Sequence, residues 1–137
     1  MDHDQFIELV RERAKVPASR RLDGMPLTDR EMAENLSRAT LQVLSQRISG
    51  GEARDLADQL PAEFEDALRP QHEHAEPFHL EVFIQRVADR AFVDFEAARA
   101  GVRAVFQTLR EAVTGNEFAD VLAQLPREYT ELLEEAG

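Results

Sequence analysis

Residues 49–61 have the sequence SGGEARDLADQLP, and residues 114–126 repeat it as TGNEFADVLAQLP. Each stretch places a hydroxyl residue three positions before a glutamate, which is the pattern of a capping box at the start of a helix. In that motif the hydroxyl accepts a hydrogen bond from the glutamate N–H, and the carboxylate accepts one from the N–H of the capping residue. Two similar short helices are therefore expected to begin at the pairs Ser49 with Glu52 and Thr114 with Glu117.

The similarity between the two copies extends over most of the chain. FIELVRERAKV at residues 6–16 resembles FIQRVADRAFV at residues 83–93, and residues 29–68 align with residues 94–133. Additional residues in the first copy separate these two alignments, within VPASRRLDGMPLTDR, where proline and glycine are typical of a loop. The sequence therefore predicts a duplicated unit.

Two copies are too few to form a solenoid, so we expect one domain over residues 1–137. Its parts are a first repeat at 4–69 with an inserted loop at 17–30, a linker at 70–79 and a second repeat at 80–135.

Apolar residues recur every three or four positions and no segment alternates, so each repeat is predicted to be helical. Thr28 and Glu31 form a third capping box, ahead of a long helix. Pro61, like the proline of the second copy, is expected to start a further helix. Gly101 aligns with Leu36, so the two long helices are expected to approach closely where glycine lacks a side chain. The predicted fold class is all-α, a pseudo-symmetric bundle of two related four-helix halves with about eight helices in all.

Several motifs are shared with one protein family. The order is F-I-x-x-V-x-x-R-A, a long helix, [ST]-G-x-E-x-x-D-x-x-x-Q-L-P-x-E-[FY], and then a second copy that ends in LPREYTELL. This order is similar to the bacterial domain of unknown function 2267 family, and the resemblance covers nearly the whole chain. It implies an all-helical domain of tandem related halves and carries no functional residues with it. The loop at 17–30 departs from the family pattern.

Composition limits the classes of partner. The chain has 27 Asp and Glu against 16 Lys and Arg, which gives a net charge of −11. Such a charge repels phosphate backbones and anionic lipids, so neither a nucleic-acid nor a membrane partner is expected. Cysteine is absent, which excludes disulfides, thiolate metal sites and a cysteine nucleophile. An acidic N-terminus and the lack of a long apolar run predict a cytoplasmic protein.

Histidines cluster in the linker, where His72, His74 and His79 accompany two glutamates. Imidazole binds zinc and nickel, so these residues are weak metal candidates. Pro70 and Pro77 interrupt the segment, and a linker without fixed geometry is expected to bind metal only adventitiously. Motifs of hydrolases, phosphate loops and dinucleotide-binding folds are absent from the sequence. We therefore expect no cofactor and no enzymatic activity.

Polar residues that recur in both repeats allow two hypotheses. In the first, arginines pair with carboxylates and tie helices together, because the forked guanidinium suits a carboxylate. In the second, the two arginines of a pair converge on an anionic ligand near the pseudo-twofold axis. The recurring residues are Arg13 and Arg90, Arg38 and Arg103, Asp55 and Asp120, Gln59 and Gln124, and Glu63 and Glu128.

Four aromatic residues do not fit the helical stripes, namely Phe78, Phe92, Phe95 and Phe118. An exposed group of them would form a partner surface or a dimer patch. The leading hypothesis is therefore a small acidic, non-enzymatic protein-interaction module, acting through an unknown protein partner or through self-association. The alternative is a small-ligand binding protein with an apolar cavity between the two halves.

Overall fold

Helices account for most of the chain. The computed structural model describes residues 1–135, and no β-strand occurs in that range. The α-helices are α1 (His3–Ala14), α2 (Asp29–Arg47), α3 (Gly50–Gln59), α4 (Leu80–Ala91), α5 (Phe95–Ala112), α6 (Gly115–Ala123) and α7 (Arg127–Glu134). Two short 3₁₀ helices span Ala18–Arg20 and Ala62–Phe64. The all-α fold class predicted from the sequence is confirmed.

Four helices form the core. The long helices α2 and α5 pack against each other, and α1 and α4 each contact both of them. Leu36, Leu41 and Leu44 of α2 are fully buried although they point in different directions around the helix, as expected for a central helix. The shorter helices α3 and α6 follow α2 and α5 directly and contact each other, and α7 packs on α5.

The long helices approach closely at Gly101 of α5. A Cβ atom added to Gly101 would lie 2.9 Å from Cδ2 of Leu36 on α2, which is closer than van der Waals contact. The missing side chain therefore makes room for the leucine, and the close approach predicted from the alignment is confirmed.

The number of α-helices among the described residues is seven, where the sequence predicted about eight. The segment after Pro61 forms only the 3₁₀ helix Ala62–Phe64 and then turns, whereas its counterpart in the second repeat forms α7. Phe64 and Leu68 are still fully buried. The segment therefore contributes apolar side chains to the core without forming a full α-helix.

Both the inserted loop and the linker are hydrogen-bonded to the helices. In the loop, the N–H of Leu22 donates to the carbonyl of Phe92 at 2.7 Å, which ties the first repeat to the end of α4. In the linker, the carbonyl of Glu73 accepts from the N–H of Gly50 at 2.9 Å, and the N–H of Glu76 donates to the carbonyl of Gln46 at 2.9 Å. The linker therefore runs along the α2–α3 corner.

Within residues 1–135, none of the helices combines the length and the apolar character that a membrane crossing requires.

Candidate functional site

Two short helices meet beyond the ends of the long helices. Ser49 precedes α3 and Thr114 precedes α6. The Ser49 hydroxyl accepts a hydrogen bond from the N–H of Glu52 at 3.2 Å, and the Thr114 hydroxyl accepts one from the N–H of Glu117 at 3.2 Å. The hydroxyl half of each predicted capping box is therefore formed.

Glutamines from the opposite helix complete the two caps. The side-chain oxygen of Gln124, just after α6, accepts from the N–H of Ser49 at 2.7 Å. The side-chain oxygen of Gln59, the last residue of α3, accepts from the N–H of Thr114 at 2.8 Å. This corrects the role predicted for the Glu52 and Glu117 side chains, because a glutamine of the facing helix occupies the N–H that each was expected to bind.

The start of α2 provides a comparison, because its capping residue Thr28 lies outside the α3–α6 contact. Thr28 accepts from the N–H of Glu31 at 3.1 Å, and the Glu31 carboxylate accepts from the N–H of Thr28 at 2.9 Å. The complete capping box forms there, and these backbone and hydroxyl contacts lower the pKa of Glu31. The glutamate of a capping box therefore binds the N–H of the capping residue where no glutamine of another helix occupies that N–H.

The displaced glutamates lie together at the α3–α6 contact. Glu52 exposes 9% and Glu117 exposes 7% of its surface, and the Oε1 atom of each is buried without a hydrogen-bond partner. Asp120, one turn after Glu117, lies beside them and is exposed. One oxygen of each of these three carboxylates lies within 4.8 Å of the others. We call Glu52, Glu117 and Asp120 the carboxylate junction.

The environment of Glu52 disfavours its ionised form. Burial is the largest cause that raises the pKa of this carboxyl from 4.5 to about 7, followed by the interaction with the Glu117 side chain and then by the charges of Asp120 and Asp55. Within residues 1–135, the charged groups that raise the pKa of Glu52 are thus all acidic.

Oxygen donors alone line the junction, and carboxylate oxygens bind protons and hard cations. Among residues 1–135, these side chains are the one group of three or more histidine, aspartate or glutamate residues with ligand atoms so close together. The linker histidines His72, His74 and His79 are not part of such a group. His79 instead contacts Glu128, with 2.9 Å between Nδ1 and Oε1, and the expectation that the linker binds metal only adventitiously stays a prediction.

A second feature is an exposed apolar surface at the inserted loop. Leu22 is 71% exposed, Met25 is 53% exposed and Phe92 is 51% exposed. The Leu22–Phe92 hydrogen bond places the first and last of these side by side, and the Arg21 guanidinium lies 5.3 Å from the Phe92 ring centre. We call Leu22, Met25 and Phe92 the loop surface.

Only one of the four phenylalanines outside the helical stripes belongs to this surface. Phe92 is exposed, Phe95 is half-buried, and Phe78 and Phe118 are buried in the core. The predicted aromatic group is therefore divided, because Phe78 of the linker and Phe118 of α6 are buried in the core.

Comparison with protein-family models gives one result. A model described as "Uncharacterized conserved protein (DUF2267)" matches residues 3–132, which is nearly the whole chain. The protein belongs to the DUF2267 family. A search of curated proteins finds no match.

The recurring arginines of this DUF2267 protein contact several kinds of acceptor. Arg13 of α1 binds Glu111 of α5 at 2.7 Å, which is the helix-tying ion pair that the first hypothesis described. Arg38 donates to the carbonyl of Glu63, and Arg103 donates to the carbonyl of Glu135. Arg90 is exposed at the end of α4.

Neither recurring aspartate takes part in the ion pairs found within residues 1–135. The Arg–Asp pairing predicted for Asp55 and Asp120 is therefore absent from that part of the chain. Asp55 is exposed on α3, and Asp120 belongs to the carboxylate junction. Asp120 thus lies beside glutamates rather than beside an arginine, and Asp55 lies on the same helix as Glu52.

The sequence of this DUF2267 protein contains a pattern that indicates the acidic residues of the carboxylate junction. Both repeats contain the spacing E-x-x-D, at Glu52 with Asp55 and at Glu117 with Asp120. Residues three apart lie on the same face of a helix, so each short helix carries a pair of acids on one face. The sequence could not show that the two acidic faces meet, because this requires the contact between α3 and α6.

Proposed function

We propose that this DUF2267 protein is a non-enzymatic protein-interaction module of the bacterial cytoplasm, and that it binds its partner through the loop surface. The observation that carries the proposal is the environment of Phe92. This residue ends α4 in the left-handed conformation, with φ 56°, and exposes half of its surface. Left-handed backbone is unfavourable for a residue with a side chain, and an exposed aromatic ring gains nothing from the core.

The first repeat provides a comparison for Phe92. Lys15 ends α1 in the same left-handed conformation, with φ 53°. A lysine can therefore adopt the left-handed conformation at the end of this helix and place a charged side chain in solvent. A phenylalanine at the equivalent place, next to the exposed Leu22, is typical of a contact surface.

Charge favours a different protein over a second copy of the chain. Two molecules with a net charge of −11 repel each other. A partner whose contact surface combines apolar side chains with basic residues satisfies both the loop surface and the acidic field around it. The negative field likewise argues against a nucleic-acid partner.

The two repeats are also proposed to be pseudo-symmetric halves of one domain. The left-handed ends of α1 and α4 support this proposal, as do the matching hydroxyl caps of α3 and α6. The crossed glutamines Gln59 and Gln124 relate the two caps in the same way.

The small-ligand alternative has less support. A groove of about 690 Å³ lies beside α3, and its lining includes Leu60, Leu68 and Pro70. The residues that line it belong to the first repeat and the start of the linker rather than to both halves.

The test compares proteins retained from source cytosol by the wild-type chain and by two variants. Phe92→Lys copies the residue of the first repeat, so the fold should persist while the contact is lost. Val82→Lys is the matched control, because Val82 is 43% exposed but lies at the other end of α4. We expect a protein retained by the wild type and by Val82→Lys, released by salt, and absent with Phe92→Lys. Equal retention by all three would refute the proposal, and dimerisation of the wild type alone in sedimentation would replace the partner with a second copy.

A further inference from the structure

We infer that the carboxylate junction binds one divalent cation, with Ca²⁺ as the preferred ion, and that the cation joins α3 to α6. The ligands are Glu52, Glu117 and Asp120. This site is separate from the loop surface and does not depend on the proposed protein partner.

Two independent observations support a ligand at this place. The first is geometric, since one oxygen from each carboxylate lies within 4.8 Å of the others. The second is that Glu52 and Glu117 are more than nine-tenths buried and each leaves an oxygen without a hydrogen-bond partner. Buried polar atoms are nearly always paired, so these two unpaired oxygens indicate a partner that the described residues do not supply.

The part of the chain that the structure describes places acidic rather than basic groups around Glu52. Glu52 is surrounded by acidic groups, namely Glu117 and Asp120 on α6 and Asp55 on α3. The side-chain NH₂ of Gln124 donates to the Ser49 hydroxyl at 3.2 Å rather than to one of these carboxylates. A positively charged ligand from solution therefore fits the junction better than any side chain in contact with it.

The spacing and the donor type favour Ca²⁺. Two oxygens on one ion can be separated by no more than twice the metal–oxygen distance, which is about 5 Å for Ca²⁺ and about 4.2 Å for Mg²⁺. A separation of up to 4.8 Å between the junction oxygens lies within this limit for Ca²⁺ and above it for Mg²⁺. Ca²⁺ also tolerates irregular geometry and water ligands, and the exposed Asp120 leaves one side of the junction open to water.

A cation at this position would link α3 to α6 and stabilise the folded chain. Glu52 belongs to the first turn of α3, and Glu117 belongs to the first turn of α6. The ion therefore bridges two helices that come from different repeats. A ligand that binds only the folded chain stabilises it by mass action, so Ca²⁺ should raise the unfolding midpoint.

The experiment is isothermal titration of the full untagged chain, freed of metal with EDTA and dialysed, first with CaCl₂ and then with MgCl₂. We expect one Ca²⁺ per chain, weaker binding of Mg²⁺, and a higher unfolding temperature with Ca²⁺. Glu117→Gln, which keeps the size of the side chain and removes its charge, should weaken Ca²⁺ binding at least about tenfold.

Asp58→Asn is the matched control, because Asp58 is an exposed acid on α3 outside the junction. It removes the same charge and should leave the affinity within about twofold of the wild type, since surface charges contribute little. Asp120→Asn serves as a second variant, because an exposed residue can be changed without loss of the fold, and it should also weaken binding. No saturable Ca²⁺ binding to the wild type, equal binding by Glu117→Gln and Asp58→Asn, or tighter binding of Mg²⁺ than of Ca²⁺ would each overturn the inference.

Discussion

Single residues at the α3–α6 contact determine how stability should depend on pH. Burial, reinforced by Glu117, raises the pKa of Glu52 from 4.5 to about 7 in the folded chain. The folded state therefore binds more protons than the unfolded state between these two values. The stabilisation is complete below about pH 4.5 and is lost as the pH rises to about 7.

Wild-type protein in EDTA should therefore be more stable at pH 5 than at pH 8, by an amount on the order of 3 kcal/mol. Urea unfolding at the two pH values measures the difference. Glu52→Gln should remove most of it, because the amide does not titrate, and Asp58→Asn should retain it. A wild type that is equally stable at both pH values, or more stable at pH 8, would contradict the role of Glu52.

The close approach at Gly101 leads to a second prediction at this scale. Gly101→Ala should destabilise the chain by about 1–3 kcal/mol, because the new Cβ would overlap the buried Leu36 and overpacking outweighs the better helix propensity of alanine. In a Leu36→Ala background the same change should become stabilising, since the clash is gone and only the helix propensity remains. Urea unfolding of the wild type, the two single variants and the double variant measures both changes in the free energy of unfolding. A stabilising Gly101→Ala in the wild-type background would show that Leu36 moves aside freely.

At the scale of helices, the crossed glutamine caps connect α3 and α6. Gln124→Ala should lower the free energy of unfolding by about 1–2 kcal/mol, because Ser49 loses the partner of its half-buried N–H. Gln85→Ala is the control, since Gln85 only contacts Asp89 on the exposed face of α4, and it should cost less than about 0.5 kcal/mol. Equal losses in urea unfolding would mean that the crossed cap adds nothing to stability.

Helix starts were predictable from sequence where the signal is local. Thr28 and Glu31 identify the start of α2, and the hydroxyls of Ser49 and Thr114 identify the starts of α3 and α6. The helix expected after Pro61 formed only the 3₁₀ helix Ala62–Phe64, whereas the aligned segment after Pro126 forms α7, so the proline signal alone does not determine the type of helix. The glutamate side chains were assigned a local role that a residue of another helix took over, and no local pattern reveals such competition.

At the scale of the whole molecule, the two predicted repeats share one core. α1 of the first repeat packs on α5 of the second, and α2 packs on α4. The Arg13–Glu111 ion pair and the Leu22–Phe92 hydrogen bond also cross between repeats. The sequence predicted the duplication, but the arrangement of the repeats around each other depends on these long-range contacts and was not predictable from either copy alone.

Fragments of residues 1–76 and 77–137 should therefore fail to fold separately. Each would expose the apolar faces that α2 and α5 bury against each other, and a single repeat has too small a core. Circular dichroism should show weak helicity and no cooperative unfolding for either fragment, with recovery when the two are mixed. A full chain cleaved once in the linker is the control and should stay folded, whereas cooperative unfolding of one isolated fragment would indicate an independent domain.

The crossed caps have a consequence for the order of folding. The N–H of Ser49 cannot donate to Gln124, and the N–H of Thr114 cannot donate to Gln59, until α3 and α6 have come into contact. The first turns of α3 and α6 should accordingly assemble late, after the long helices have docked, and their substitutions should change the unfolding rate more than the folding rate. In native-state hydrogen exchange the amides of Ser49 and Thr114 should open together as one cooperative unit, although they lie far apart in the chain.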